Sequence, residues 1–285
     1  MENLFYTSKR LILIGLLFLF FSCSQDDLLN NDSPKTSSES LSNSELASKK
    51  DYIVFKGPEV EIGNGIVRSW FKVSKDEMPI EIGVEMTPGA LAGLPDESDH
   101  SETIVVPLHL KAKQLTPFNH VGINWNPNGH PPPGVFDVPH FDIHFYMISV
   151  EDQLAIPAWS PSTDALFNNY PPPGYMPADY ETPPGPATAE AQMGKHWLTT
   201  NLGAYLPFSK IMVYGSYNGE FTFIEPMVTL DYLLSNVDFS SPYSQPLYFE
   251  KAGYYPTVYN IRHDSETGNT NITLSGFVAR VATSN

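Results

Sequence analysis

From Tyr52 onward the chain runs mostly in alternating apolar and polar positions, the period-2 signature of strands with two unlike faces. Tyr52 to Phe55 opens the pattern and is expected to stop at Gly57-Pro58. Glu59 to Ile62 and Ile66 to Val73, parted by Gly63-Asn64-Gly65, predict a hairpin with a glycine-rich turn. Ile80 to Met86 alternates as a further strand. Thr103 to Leu110 reads as a strand at a sheet edge, because Pro107 has no N–H to give to a ladder. Ile211 to Tyr217 and Glu220 to Ile224 flank Asn218-Gly219, a dipeptide suited to a type I′ turn. Tyr254 to Ile261 and Asn271 to Val281 predict a C-terminal pair. Helical turns are expected at Thr87 to Leu94, with Thr87 as cap and Pro88 in the first turn, and at Ser149 to Ile156 and Met227 to Leu234. The fold class is therefore mainly β, a sandwich or barrel-like antiparallel sheet with a few short helices.

Two stretches break the rhythm. Asn126 to Pro139 carries Pro127, Gly129, the run Pro131-Pro132-Pro133 and Gly134, and Tyr170 to Pro186 carries seven prolines. Proline fixes φ and removes a donor, so neither stretch can be an interior strand. They predict long, ordered, proline-rich loops, the kind of segment that forms binding sites on a β scaffold.

The N-terminus follows a different pattern. Lys9 and Arg10 precede a mainly apolar run from Leu11 to Phe21, and the only cysteine, Cys23, comes directly after Ser22. The run is too short for a transmembrane helix, which needs roughly 20 apolar residues, and matches the hydrophobic region of a secretory signal. Phe20-Phe21-Ser22-Cys23 resembles a lipobox, so residues 1–22 are expected to be a lipoprotein signal peptide and Cys23 the lipidation site. Ser24-Gln25-Asp26-Asp27 resembles the surface-export signal of Bacteroidota lipoproteins. The expected location is extracytoplasmic, lipid-anchored to the outer membrane and surface-exposed. Residues 23–50 are polar and lack aromatics, as a disordered tether does, and residues 51–285 are read as a single β-rich domain. The formal charge is −16. An acidic chain repels phosphate backbones, which argues against nucleic acid as a partner and leaves the membrane to be reached through the lipid. Self-association into a homo-oligomer is left open.

Candidate chemistry concentrates in Pro139-His140-Phe141-Asp142-Ile143-His144-Phe145-Tyr146. On a strand, His140, Asp142 and His144 share one face, and Phe141, Ile143 and Phe145 share the other. Residues four apart lie about 13 Å apart along a strand, so one ion cannot readily take both His140 and His144; an i, i+2 pair about 6.6 Å apart is easier. The remaining ligands of a transition metal ion would come from elsewhere, with His196 and Glu225 as remote candidates and His130 as an additional one on the first proline loop. A hydrogen-bonded polar network and a solvent-facing row are the competing readings of the same face. No Gly-x-Ser-x-Gly elbow, phosphate-cradling glycine loop or His-Glu-x-x-His helix is present, and no carboxylate pair is marked out as a glycosidase dyad.

Asn124-Trp125-Asn126-Pro127-Asn128-Gly129-His130-Pro131-Pro132-Pro133-Gly134, followed by Asp137 to Tyr146, resembles the signature of an uncharacterised bacterial domain family. Its named member is a thermophile protein controlled by a sigma-E/anti-sigma-E system. Gly194-Lys195-His196-Trp197 and Phe223-Ile224-Glu225-Pro226-Met227 resemble later blocks of the same family, so that the similarity runs from roughly Phe55 to Leu234. The resemblance implies a β-rich secreted or lipid-anchored domain and brings no catalytic assignment. Two classes of function follow: a non-enzymatic envelope binding or interaction module, which is the leading expectation, and a metal-dependent enzyme or metal-binding protein using the His/Asp face. Convergence of His140, Asp142, His144, His196 and Glu225 around one cavity would favour the second, and their dispersal the first.

Overall fold

A computed structural model of the chain describes residues 51–97 and 103–283. The signal peptide, Cys23 and the tether up to residue 50 lie outside the described residues. In chain order the strands are β1 (Tyr52–Ile62), β2 (Gly65–Ser74), β3 (Pro79–Met86), β4 (Ile104–Pro107), β5 (His120–Asn126), β6 (His140–Tyr146), β7 (Tyr180–Glu181), β8 (Ala189–Glu190), β9 (Gly194–Thr199), β10 (Lys210–Tyr217), β11 (Glu220–Thr229), β12 (Phe239–Pro242), β13 (Gly253–Tyr255), β14 (Val258–His263), β15 (Thr270–Ser275) and β16 (Val278–Arg280). Short helices α1 (Leu110–Leu115), α2 (Val150–Leu154), α3 (Asp164–Phe167) and α4 (Leu230–Leu234) fill corners between them. None of these helices is long and apolar enough to cross a membrane.

The strands form two large open antiparallel sheets. One runs β1-β2-β3-β15-β14-β12; the other runs β4-β5-β6-β11-β10-β9-β7, with β8 beside β9. A ribbon of β13 and β16 stands apart. The sheets meet through one apolar layer. Val67, Phe71, Ile82, Val84, Ile272 and Leu274 come from the first sheet, and Val121, Ile123, Phe141, Ile143, Phe145 and Ile224 from the second. Each fully buried side chain of this kind contributes roughly 1.5–3 kcal/mol, so this layer drives the assembly.

All seven residues of β6 are buried, although only alternate ones face the sandwich core. Its other face is covered by the proline-rich segments. Phe136 from the first of them packs with Phe208, Ile211, Val213 and Met227 over the outer side of the second sheet.

Several local expectations meet the structure directly. Asn218 and Gly219 both take positive φ, as a type I′ turn requires. Pro107 ends β4, an edge strand. Others are corrected. Gly57-Pro58 does not end the first strand: β1 runs through it with a register shift between Lys56 and Glu59, which its edge position tolerates. Leu108 to Leu110 leave the strand, and Leu110 opens α1, capped by the His109 ring. Met227 to Thr229 stay in β11, and only Leu230 onward is helical. The C-terminal strand breaks at Gly276, which takes positive φ, so β15 and β16 pair with different partners.

Candidate metal centre

The outer face of the second sheet is built by cross-strand pairing. On β6 it presents His140, Asp142, His144 and Tyr146. Asn126, Asn124, Gly122 and His120 of β5 lie opposite them in that order. On the other side, β11 pairs Phe223 with Tyr146 and Met227 with Asp142. Between those pairs the ladder lapses at Glu225 and Pro226, where a proline in a central strand has no N–H to give. This register sets Glu225 beside His144. His196 arrives two strands further on, where Gly215 lies between it and Phe223. A Cβ on Gly215 would stand 2.1 Å from the Phe223 ring, so the bare backbone is what lets that ring lie there, with His196 packed against it at 5.2 Å between centroids.

Two groups result. In the first, His140 Nε2 lies 3.2 Å from Asp142 Oδ1, and His130 Nε2 lies 3.4 Å from Asp142 Oδ2. In the second, His144 Nε2 lies 3.5 Å from Glu225 Oε1, and His196 Nε2 lies 3.7 Å from Glu225 Oε2. Within each group one nitrogen or oxygen per residue falls within 4.8 Å of the others. Both carboxylates and the rings of His140 and His144 are buried, while His130 and His196 keep 18% and 15% of their side chains exposed.

The backbone decides which ring nitrogen is available. His140 Nδ1 is 2.6 Å from the Val138 carbonyl, His130 Nδ1 is 2.8 Å from the Pro131 carbonyl, and His196 Nδ1 is 3.1 Å from the Thr188 carbonyl. A carbonyl oxygen only accepts, so each Nδ1–H must donate to it. A neutral ring then presents its Nε2 lone pair to the carboxylate. With ring and carboxylate both unprotonated, lone pair would face lone pair at 3.2 Å between His140 and Asp142, and among the described residues neither His140 Nε2 nor Asp142 Oδ1 makes a hydrogen bond. Glu225 Oε2 makes none either. Such pairs require a cation between them: a proton, on the ring or on the carboxyl, or a metal ion. An N–H held by a carbonyl on the far side of the ring is also how metal-ligating histidines are commonly oriented.

The electrostatics are uneven. Burial pushes the Asp142 carboxyl up, but the His140 and His130 rings outweigh it and hold the group well below its usual range. Burial, reinforced by the charge of Asp142, pushes Glu225 well above its usual range. Burial alone would lower His130, yet Asp142 raises it. Asn126 Nδ2 donates at 2.7 Å to Asp142 Oδ2, the oxygen that also faces His130, and so fixes that carboxylate.

The separations suit an ion. Donors bound tetrahedrally at about 2.0–2.1 Å stand about 3.3–3.4 Å from one another, close to the four contacts above. Two imidazoles and one carboxylate per group suit zinc, iron, copper or nickel. His130 and His196, one from each group, line a common cavity of about 260 Å³ beneath the proline-rich loops. Part of its wall is held by Lys195, whose buried ammonium donates to the carbonyls of Pro183, Gly185 and Ala187 at 2.5–2.9 Å. Burial draws the pKa of Lys195 down to about 8.

The six histidine and carboxylate positions singled out in the sequence thus fall into two groups of three, with His140 and His144 in separate groups and only His130 and His196 at the common cavity. Two supporting residues were not anticipated. Asn126 belongs to β5, whose alternation of His120, Gly122, Asn124 and Asn126 with Val121, Ile123 and Trp125 is its only sequence signal. Lys195 lies beside His196 in the Gly194-Lys195-His196-Trp197 block, but nothing in that block signals its bonds to the Pro183, Gly185 and Ala187 carbonyls.

Comparison with known proteins adds one match. Residues 74–125 are similar to a family described as TTHB210-like, hypothetical protein TTHB210. The matched segment runs from the end of β2 through most of β5 and stops at Trp125, before the proline loop and the histidine strand. No curated protein and no solved structure matches.

Proposed function

We propose that the domain is a metal-binding protein holding two transition-metal ions, one at His130, His140 and Asp142 and the other at His144, His196 and Glu225. The observation that carries this reading is the buried approach of His140 Nε2 to Asp142 Oδ1 at 3.2 Å while Nδ1 is committed to a carbonyl. Three protein ligands per ion leave coordination positions open, as in sites that act on a further ligand and unlike the closed four-ligand structural sites. The five residues His140, Asp142, His144, His196 and Glu225 do not ring one cavity. They fall, with His130, into two compact groups, of which only His130 and His196 line the shared cavity, and it is the two-histidine, one-carboxylate make-up of each group that supports this reading over a purely structural network. Delivery outside the cytoplasm on a lipid attached to Cys23, and kinship of the histidine, Gly194–Trp197 and Phe223–Met227 blocks with the matched family, rest on the sequence and belong to the same proposal.

Metal analysis of protein purified without chelators, followed by titration with zinc, tests it. Two ions per chain are expected. His140→Ala and His196→Ala should each leave one, and the double variant none, while His263→Ala, remote on β14 beside Asp238, should leave two. A wild-type protein that neither carries nor takes up metal would replace this reading with a hydrogen-bond network. For the anchor, Cys23→Ala should abolish labelling by radioactive palmitate, and unchanged labelling would refute lipid attachment.

A further inference from the structure

The shared cavity differs in character from the sites it touches. Pro131, Pro132, Phe136, Leu198, Val213 and Met227 make up half of its lining residues, and among the described residues no lysine or arginine lines it. Its polar lining is His130 and His196, one from each group of ligands, together with Thr188 and Glu190. At about 260 Å³ it lies below the roughly 300–1,000 Å³ typical of pockets for drug-sized molecules. The histidines that reach it are also the two least buried of the four, so the open side of each ion site is the cavity side.

Resting on the two-metal reading, we infer that this cavity is the ligand site of the centre, and that it takes a small acid with a compact apolar body. The body fills the space between the proline loop and Leu198, Val213 and Met227. The acidic head binds the open coordination positions beside His130 and His196. Each divalent ion is balanced by only one ligating carboxylate, Asp142 or Glu225, so even with Glu190 on the cavity wall the centre keeps net positive charge and selects an anion without any basic side chain. Glu190 offers an acceptor to a hydroxyl or N–H next to the acidic group. The apolar wall supplies selectivity, because a head group alone leaves that surface wet.

Titration of the cobalt(II)-loaded protein with benzohydroxamate and acetohydroxamate separates these contributions. The two probes share one metal-binding head and differ in the apolar body. Benzohydroxamate should bind at least about 10-fold more tightly and perturb the visible cobalt bands, and the metal-free protein should bind neither. Ala187→Trp lies on the exposed loop lining the cavity and should fill it. That variant should erase the preference while keeping two ions per chain and the wild-type circular dichroism. Equal affinity for the two probes, or a preference that survives Ala187→Trp, would overturn the cavity assignment and leave the metal reading standing. A chain that takes up no cobalt would overturn both.

Discussion

The outer faces of the two sheets both hold buried or half-buried carboxylates, and they treat them in opposite ways. On the first sheet, Glu85 meets Lys56 at 3.1 Å and Arg68 at 3.2 Å and accepts from Asn269 at 2.7 Å. Glu81 lies between Lys72 and Arg262 and accepts from Thr273. On the second sheet, the ion-pair contacts of Asp142 and Glu225 are all with imidazoles, and three of those four rings already donate from Nδ1 to a carbonyl. A carboxylate that serves stability is given permanent cations. On the second sheet the carboxylates face imidazoles, which are cations only when protonated. Leaving a buried polar group unsatisfied costs about 1–3 kcal/mol, more if charged, so the second face is hard to explain as a stabilising device.

The sharpest way to break this contrast is at Asp142. Asp142→Ala should empty the first group, with zinc affinity there falling by more than about 100-fold, since even loss of a group orienting a ligand costs about 10–100-fold. Isothermal titration should then report one ion per chain. Stability should respond in opposite directions on the two faces. Glu225→Gln removes a buried acid that has imidazoles but no lysine or arginine beside it, and should leave the melting of metal-free protein unchanged or raise its stability by up to about 2 kcal/mol. Glu81→Gln, which strips Lys72 and Arg262 of their partner, should lower it by about 1 kcal/mol. A Glu225→Gln protein markedly less stable than wild type without metal would show that Glu225 is structural. Asn126→Leu should weaken metal at the first group by about 10–100-fold and leave the second unchanged, as read by competition with a chromogenic chelator.

The smallest effect is on the first sheet and depends on pH. Lys56, Arg68 and Asn269 outweigh burial and lower the Glu85 carboxyl in the folded protein. A lowered folded pKa gives stability that is full above the unfolded glutamate value near about 4.3 and is lost as pH falls through the lower folded value. Chemical denaturation should therefore show an acid loss of about 1 kcal/mol or less that is absent in Glu85→Gln, and an unchanged slope in that variant would refute the assignment.

Much of this was legible in local pattern, and the missing part was long-range. The alternation in β6 identified which side chains share a face, and Asn218-Gly219 identified the tightest hairpin. Strand β5 went unrecognised because Gly122, Asn124 and Asn126 are poor strand formers, and pairing with β6 overrides that preference. The grouping of His144 with Glu225, and of His130 with Asp142, depends on the order β5-β6-β11-β10-β9 and on the fold-back of a proline loop. Nothing within a few residues of any of these positions encodes that order. Glu225 directly follows the predicted strand Glu220 to Ile224, whereas it sits mid-strand before a proline that opens the ladder beside His144.

The central claim is most directly tested by X-ray diffraction from zinc-soaked crystals, with data on both sides of the zinc absorption edge. The account predicts two anomalous peaks per chain. One should lie about 2.0–2.2 Å from Nε2 of His130 and His140 and an Asp142 oxygen, and the other at the same distances from Nε2 of His144 and His196 and a Glu225 oxygen. Ions bound only elsewhere on the surface, or no peak at either group in protein that diffracts well, would contradict it.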